Sequence, residues 1–168
     1  MKVRNINIRL EEYDAEEKLQ EPDALLLEKA NALLQNAYAP YSEFKVGAAV
    51  LLDSGKVVSG SNQENAAYPS GLCAERVALF HAKSRYPDSV VKSIAITAES
   101  ENFSVDYPIT PCGACRQVIA EVESRQNQSI RIIMRGQTGA THIIDGISNL
   151  LPFVFKEENL KRSKHKNK

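Results

Sequence analysis

Three cysteines in two short segments carry the clearest chemical signal in the sequence. Cys112 and Cys115 form a C-x-x-C pair within "PCGACRQ", and Cys73 stands in "LCAER". By itself the C-x-x-C pair is compatible with a thioredoxin-like redox pair, with half of a metal site, or with two cysteines that are merely buried. The third cysteine favours a metal site. Three thiolates would occupy three of the four coordination positions of a zinc ion and leave the fourth for water, as in a catalytic zinc site.

Helix geometry gives a physical reason for these positions. Pro111 marks the start of a predicted helix, and Cys112 and Cys115, at i and i+3, project from the same face of its first turn. The free N–H groups of a first turn carry the positive end of the helix dipole, which stabilises thiolates. Cys73 opens a second predicted helix. Glu75, two residues later, is then placed for general acid–base chemistry beside the metal.

Each of these residues also has a simpler interpretation. A glutamate on a helix is usually a solvated charge, and Arg76 would ordinarily form a surface salt bridge. A redox role would require Cys112 and Cys115 to cycle between thiol and disulfide. A histidine would complete a structural zinc site, but none of the three lies at zinc-finger spacing from a cysteine: His81, His142 and His165.

The elements that position these residues follow the order helix, two strands, helix, strand, helix, strand, strand. This order predicts an α/β domain in which helices cover a mixed sheet. The first helix is predicted to begin at Pro22 and to end near Ala39, since Pro40 biases the preceding residue out of the helical region. The first two strands are predicted to form a hairpin that turns at residues 53–55.

The two ends of the chain differ from this predicted domain. Ile6, Ile8 and Leu10 alternate with polar residues and predict an edge strand within an N-terminal extension, residues 1–20. The polar tail, residues 157–168, is expected to be frayed.

Composition limits the classes of function. A chain of 168 residues with 43% hydrophobic content suits a single domain over residues 1–168. Its 21 basic residues are balanced by 21 acidic ones, so no global field favours nucleic acid or an anionic membrane. No signal-peptide pattern is evident, and no stretch approaches the roughly 18 apolar residues of a membrane span. We therefore expect a soluble, cytoplasmic protein that recognises its ligand locally.

Five segments together identify a family resemblance. "CAER", "PCGACRQ", "AYAPYSEFKVGAAV", "NQENAAY" and "LLPFVF" resemble the zinc-dependent cytidine deaminases of nucleoside salvage, in their small-subunit, three-cysteine form. The likeness extends from about Leu26 to Phe155. It implies a three-layer α/β/α sandwich with a central mixed sheet of about five strands. It also implies a homotetramer that hydrolyses cytidine and deoxycytidine to uridine and deoxyuridine with release of ammonia.

The resemblance implies a role for each residue of the metal site. One zinc ion per chain would be held by Cys73, Cys112 and Cys115. Glu75 would shuttle protons during catalysis, and the positive charge of Arg76 would offset the three thiolates.

The resemblance also implies a set of substrate-binding residues: Phe44, Asn62, Glu64, Tyr68, Ala74 and Phe155. Phe44 would stack on the pyrimidine, whereas Asn62 and Glu64 would bind the ribose hydroxyls. Without the resemblance, Phe44 is equally a core aromatic and the other two are ordinary turn residues. Tyr68 and Phe155, or Phe153 in its place, would reach the site of a neighbouring subunit.

Three alternatives remain at this point. A related zinc deaminase that acts on a cytosine-containing antibiotic would share the zinc motifs, although "PYSEF" and "NQEN" favour an ordinary nucleoside. A non-catalytic zinc-binding module would need a fourth protein ligand and would not need Glu75. The third alternative is the redox protein considered above.

Overall fold

The structure is a computed structural model that describes residues 1–156, so the predicted polar tail and His165 lie outside the described residues. Six strands form one sheet in the order β1-β6-β5-β4-β2-β3. Only β4 and β5 run parallel, and the other neighbouring strands are antiparallel. The strands and helices are β1 (Glu11–Tyr13), α1 (Glu21–Asn31), β2 (Phe44–Leu52), β3 (Val57–Ser61), α2 (Ala74–Arg85), β4 (Val91–Ser100), α3 (Gly113–Gln126), β5 (Arg131–Arg135) and β6 (Thr141–Asp145).

The sheet separates two hydrophobic layers. On one face, side chains such as Val50 and Ile96 pack in a cluster with residues of α2 and α3. On the other face, Ala49, Ala95 and Ile133 pack with α1. Successive residues of a strand point to opposite faces, which explains why neighbours in sequence belong to different layers. The predicted three-layer α/β/α arrangement is therefore confirmed, with six strands instead of about five.

Two glycines allow the helices to lie close to the sheet. A Cβ atom added to Gly60 in β3 would lie 2.7 Å from the backbone nitrogen of Ala78 in α2. A Cβ atom added to Gly47 in β2 would collide with the carbonyl oxygen of Ala30 in α1. Only a residue without a side chain fits such close approaches, so Gly60 fixes the distance between the sheet and the helix that follows Cys73.

The first helix ends earlier than predicted. It stops at Asn31 and is followed by a single 3₁₀ turn, Leu34–Asn36, instead of continuing toward Ala39. The carbonyl of Asn36 accepts hydrogen bonds from the Ser61 hydroxyl at 3.0 Å and from Gln63 at 3.3 Å. The residue four positions after Asn36 is Pro40, which has no N–H to donate, so these contacts from a distant segment satisfy the Asn36 carbonyl where the helix could not.

The N-terminal strand is shorter than the alternating pattern suggests. Pairing with β6 is confined to Glu11–Tyr13, and the side chains of Ile6, Ile8 and Leu10 remain exposed. This short edge strand is the sixth strand of the sheet. Its position is fixed by Arg131, which forms ion pairs with Glu11 and with two further carboxylates.

No helix within residues 1–156 has both the length and the apolar character that crossing a bilayer would require.

Candidate active site

The three cysteines meet where α2 and α3 begin. Cys73 directly precedes α2, Cys112 directly precedes α3, and Cys115 lies in the first turn of α3. The Sγ atoms of Cys73 and Cys112 are 3.8 Å apart, and those of Cys112 and Cys115 are 3.5 Å apart. All three sulfurs lie within 4.8 Å of one another. Cys73 and Cys112 are 39 positions apart in sequence, so the cluster joins the starts of two separate helices.

The cluster has the chemistry and spacing of a zinc site. A tetrahedral zinc with Zn–S bonds of about 2.3 Å requires sulfur atoms about 3.8 Å apart, close to the observed separations. Both helices present their N-terminal ends to the cluster, which favours negatively charged sulfur. A hydrogen bond from Cys115, with further help from Arg76, lowers the pKa of the Cys73 thiol to about 5. A thiolate is therefore easily formed at Cys73.

Arg76 provides a positive charge next to the sulfurs. Its Nη2 atom lies 3.7 Å from the Cys73 Sγ atom and also donates a hydrogen bond to the Gly71 carbonyl at 3.3 Å. Its Nε atom is buried and has no hydrogen-bond partner in the described part of the chain. The simple interpretation, a surface salt bridge to a carboxylate, is not observed in residues 1–156: the guanidinium faces thiols.

Glu75 is buried beside the cluster. Only 4% of the residue is exposed, in contrast to the solvated charge expected of most helical glutamates. Burial raises the pKa of its carboxyl, and the neighbouring Cys73 thiolate raises it further. A carboxyl group whose protonated form is stabilised in this way suits general acid–base chemistry.

A cavity of about 800 Å³, which we call the site cavity, opens onto the cluster. Its walls include Phe44, Asn62, Glu64, Tyr68, Glu75 and Cys112. The volume lies within the usual range for small-molecule sites, and the lining is largely apolar with a few polar groups, as is typical of such sites. The structure thus brings most of the predicted substrate residues to one cavity.

Asn62 and Glu64 occupy one wall and are held by neighbouring backbone groups. The Asn62 side chain accepts from the Val46 N–H at 2.8 Å and donates to the Phe44 carbonyl at 2.9 Å. It thereby continues the β2–β3 ladder beyond the last paired residues. Each of its polar atoms can form one more hydrogen bond, so the amide can also bind a ligand.

The Glu64 carboxylate accepts hydrogen bonds from the segment that precedes β2. The donors are the Tyr41 N–H at 2.9 Å, the Ser42 N–H at 3.3 Å and the Ser42 hydroxyl. Burial opposes ionisation of Glu64, but these hydrogen bonds outweigh it and lower the pKa of the carboxyl. Glu64 is consequently a charged acceptor in the cavity wall.

Two predicted substrate residues are not part of the cavity wall. Ala74 is fully buried as the first residue of α2. Phe155 lies in the C-terminal segment beside α3, and its carbonyl accepts a hydrogen bond from Gln117 at 2.8 Å. Phe153 and Phe155 are both exposed, at 85% and 57%. Neither ring lines the site cavity of its own chain.

Sequence reasoning missed residues that position the site. Tyr41 lies on the cavity wall and contacts Tyr68 edge-on, with ring centroids 6.1 Å apart. Arg116 bonds the carbonyls of Pro111 and Leu150, both at 2.8 Å, and so joins the start of α3 to the C-terminal segment. Both residues stand in segments that carry the family resemblance, since Tyr41 is in "PYSEF" and Arg116 is in "PCGACRQ". Their roles were missed because the contacts that they make with distant residues leave no local pattern in the sequence.

Comparison with known proteins places this geometry in a family. The family model described as the cytidine and deoxycytidylate deaminase zinc-binding region matches residues 20–129. The chain is 40% identical to a cytidine deaminase of Halalkalibacterium halodurans over 81% of its own length and 96% of the relative. It is 38% identical to a cytidine deaminase of Sporosarcina psychrophila over 80% and 92%, respectively.

Solved structures show the same fold. The crystal structure of cytidine deaminase from Burkholderia pseudomallei superposes with a TM-score of 0.69 at 39% identity, covering 79% of this chain and 98% of that one. The cytidine deaminase from Mycobacterium tuberculosis superposes with a TM-score of 0.61 at 30% identity, covering 79% and 96%. The chain therefore belongs to the cytidine and deoxycytidylate deaminase family, and its three-cysteine cluster fits the zinc ion that this family binds.

Proposed function

We propose that the protein hydrolyses the 4-amino group of cytidine and deoxycytidine, giving uridine or deoxyuridine and ammonia. The observation that carries the proposal is the buried carboxyl of Glu75 beside three clustered thiols at a cavity large enough for a nucleoside. A non-catalytic zinc module would have no use for a buried glutamate at this position. The similarity to cytidine deaminases over most of the chain supports the same reaction.

Zinc binding and proton transfer are carried out by different residues of the chain. Cys73, Cys112 and Cys115 would hold one zinc ion per chain, which supplies the Lewis acidity that makes water nucleophilic near neutral pH. Glu75 accepts one proton of the attacking water and donates it to ring N3 while the water oxygen bonds to C4. Glu75 then transfers the second proton to the amino nitrogen. The C4–N bond breaks, ammonia leaves, and a C4 carbonyl remains.

The cavity wall supports a nucleoside as the substrate class. Phe44 would stack on the pyrimidine, and Asn62 and Glu64 would bind the ribose hydroxyls. Because Glu64 is a charged acceptor, a phosphate esterified to the 3′-hydroxyl would remove a donor and bring like charges together. We therefore expect linked nucleotides to be excluded.

We infer a homotetramer in which neighbouring subunits complete each other's sites. Tyr68 is 77% exposed at the cavity, and Phe153 and Phe155 are exposed residues of the C-terminal segment that do not line their own cavity. Either phenylalanine would be free to reach a neighbouring subunit. A role in pyrimidine salvage remains a prediction from the resemblance, and a cytoplasmic location remains a prediction from the sequence pattern.

A comparison of substrates tests the proposal. The kcat/KM of the zinc-loaded protein should be measured for cytidine, deoxycytidine, the 3′- and 5′-monophosphates of cytidine, and a short cytosine oligonucleotide, by ultraviolet loss of the cytosine chromophore. We expect efficient turnover of the two nucleosides and weak turnover of the 3′-monophosphate and oligonucleotide. Oligonucleotide deamination as efficient as that of cytidine would contradict the proposed substrate class, and no nucleoside turnover at all would contradict the reaction.

A further inference from the structure

The loop after β4 makes three side-chain contacts with residues at the start of β2. Three consecutive residues, which we call the 101–103 loop, each contact one of the three residues Glu43, Phe44 and Lys45. Glu101 forms an ion pair with Lys45 at 2.8 Å, and Asn102 donates a hydrogen bond to the Glu43 carboxylate at 2.6 Å. The ring of Phe103 stacks on the ring of Phe44, with centroids 6.2 Å apart and planes inclined by 26°.

The backbone next to Phe44 is in an uncommon conformation. Glu43 has φ = 53°, in the left-handed region that residues other than glycine rarely adopt. Its N–H donates to the Ala39 carbonyl at 3.0 Å, and its carboxylate accepts from Asn102. Such a conformation persists only where the surroundings hold it. The 101–103 loop supplies part of that support.

We propose that Phe103 is a positioning residue for substrate binding, which acts by holding the ring of Phe44 in the orientation that stacks on the pyrimidine. This inference rests on the proposed function. Phe44 lines the site cavity, whereas Phe103 does not, so Phe103 supports Phe44 without itself touching the ligand. Stacked aromatic pairs have a preferred geometry, and the second ring therefore restricts the orientations of the first. Asn102 assists by holding Glu43.

Substrate binding should weaken when the supporting ring is removed. For Phe103→Ala we expect the KM for cytidine to rise about 3- to 10-fold, from the usual strength of an aromatic pair, with kcat changed by less than about twofold. Phe103→Tyr keeps the ring and should behave like the wild type, whereas Phe103→Leu should resemble Phe103→Ala. Asn102→Ala should raise KM by a smaller factor. Since Phe103 is 53% exposed, these variants are expected to fold and to retain zinc.

A double-mutant cycle shows whether Phe103 acts through Phe44. The KM values of Phe44→Ala, Phe103→Ala and the double variant should be compared, with Leu25→Ala as the control for loss of an exposed apolar side chain. Leu25 lies in α1, is 50% exposed and does not line the site cavity. If the inference is right, the double variant is no worse than Phe44→Ala alone.

The outcomes separate this inference from the proposed function. A wild-type protein without activity on cytidine would refute both. An active wild type in which Phe103→Ala matches Leu25→Ala would overturn the inference alone. A double variant whose increase in KM equals the product of the two single increases would also overturn it, because Phe103 would then act independently of Phe44.

Discussion

Glu123→Ala removes the acceptor that two buried backbone N–H groups share. One carboxylate oxygen of Glu123 accepts from the Ile130 N–H at 2.8 Å and from the Ile147 N–H at 3.0 Å. Ile130 leads into β5 and Ile147 follows β6, so this side chain of α3 joins three parts of the fold. The same helix carries Cys115.

The expected loss of stability follows from these contacts. Leaving a buried donor unsatisfied costs about 1–3 kcal/mol, so two donors give about 2–6 kcal/mol. A groove lined by Glu123, Ser129 and Ile147 opens beside the carboxylate and would let water reach the freed N–H groups. We therefore expect the low end, a decrease of about 2 kcal/mol in the free energy of unfolding. Glu123→Gln keeps an oxygen acceptor and should lose less.

The raised pKa of Glu123 also predicts the direction in which stability changes with pH. Burial raises the pKa of Glu123 above its ordinary value of 4.5, although the hydrogen bonds from Ile130 and Ile147 oppose this. The folded state then binds more protons than the unfolded state between 4.5 and the folded pKa. The contribution of Glu123 to stability is therefore greatest below this window and falls as pH rises through it. Glu123→Gln lacks this decrease, so its stability relative to the wild type should improve with rising pH.

Chemical denaturation of the zinc-loaded protein at fixed concentration measures both effects. Glu121→Ala is the matched control, because Glu121 is an exposed glutamate two residues earlier on α3, with an expected change within about 0.5 kcal/mol. The reasoning is refuted if Glu123→Ala and Glu121→Ala unfold at the same denaturant concentration.

Three further variants test the metal site, the cavity wall and the edge of the sheet. Cys112→Ala should lose most of its zinc, since two thiolates cannot replace three, and undiminished zinc by elemental analysis would contradict the site. Asn62→Ala removes hydrogen bonds to Val46 and Phe44; it should lower the unfolding free energy by about 1–3 kcal/mol and raise the KM for cytidine, and an unchanged unfolding midpoint would argue against this role. Arg131→Met leaves the buried carboxylate of Asp23 without its cation and should lower the free energy of unfolding by about 3 kcal/mol, measured by thermal or chemical denaturation. Adding Asp23→Asn to this variant should recover part of that loss, and no recovery would show that the unpaired carboxylate is not the cause.

The elements that carry the metal site could be predicted from the sequence because their signals are local. Pro111 and the i, i+3 spacing of Cys112 and Cys115 indicate a helix start, and the observed helix begins at Gly113. The pairing of Cys73 with this helix depended on the three-ligand argument and on the family resemblance. The sulfur positions agree with both.

Features set by distant contacts could not be predicted in this way. The alternation of Ile6, Ile8 and Leu10 predicts a strand, but alternation does not reveal whether a partner strand is present, and pairing starts only at Glu11. The contact between Asn102 and Glu43 spans 59 residues and has no periodic signal. The two residues meet because β2 and β4 pair side by side, with Phe44 opposite Ser100.

The most direct test of the central claim is cytidine turnover by Glu75→Gln, measured together with its zinc content. The substitution preserves the shape of the side chain and removes its ability to accept and donate the reacting protons. We predict about one zinc ion per chain, as in the wild type, and a kcat lower by about 10²- to 10⁴-fold. Near-normal turnover of cytidine by the zinc-loaded variant would contradict the assignment of Glu75 as the proton shuttle.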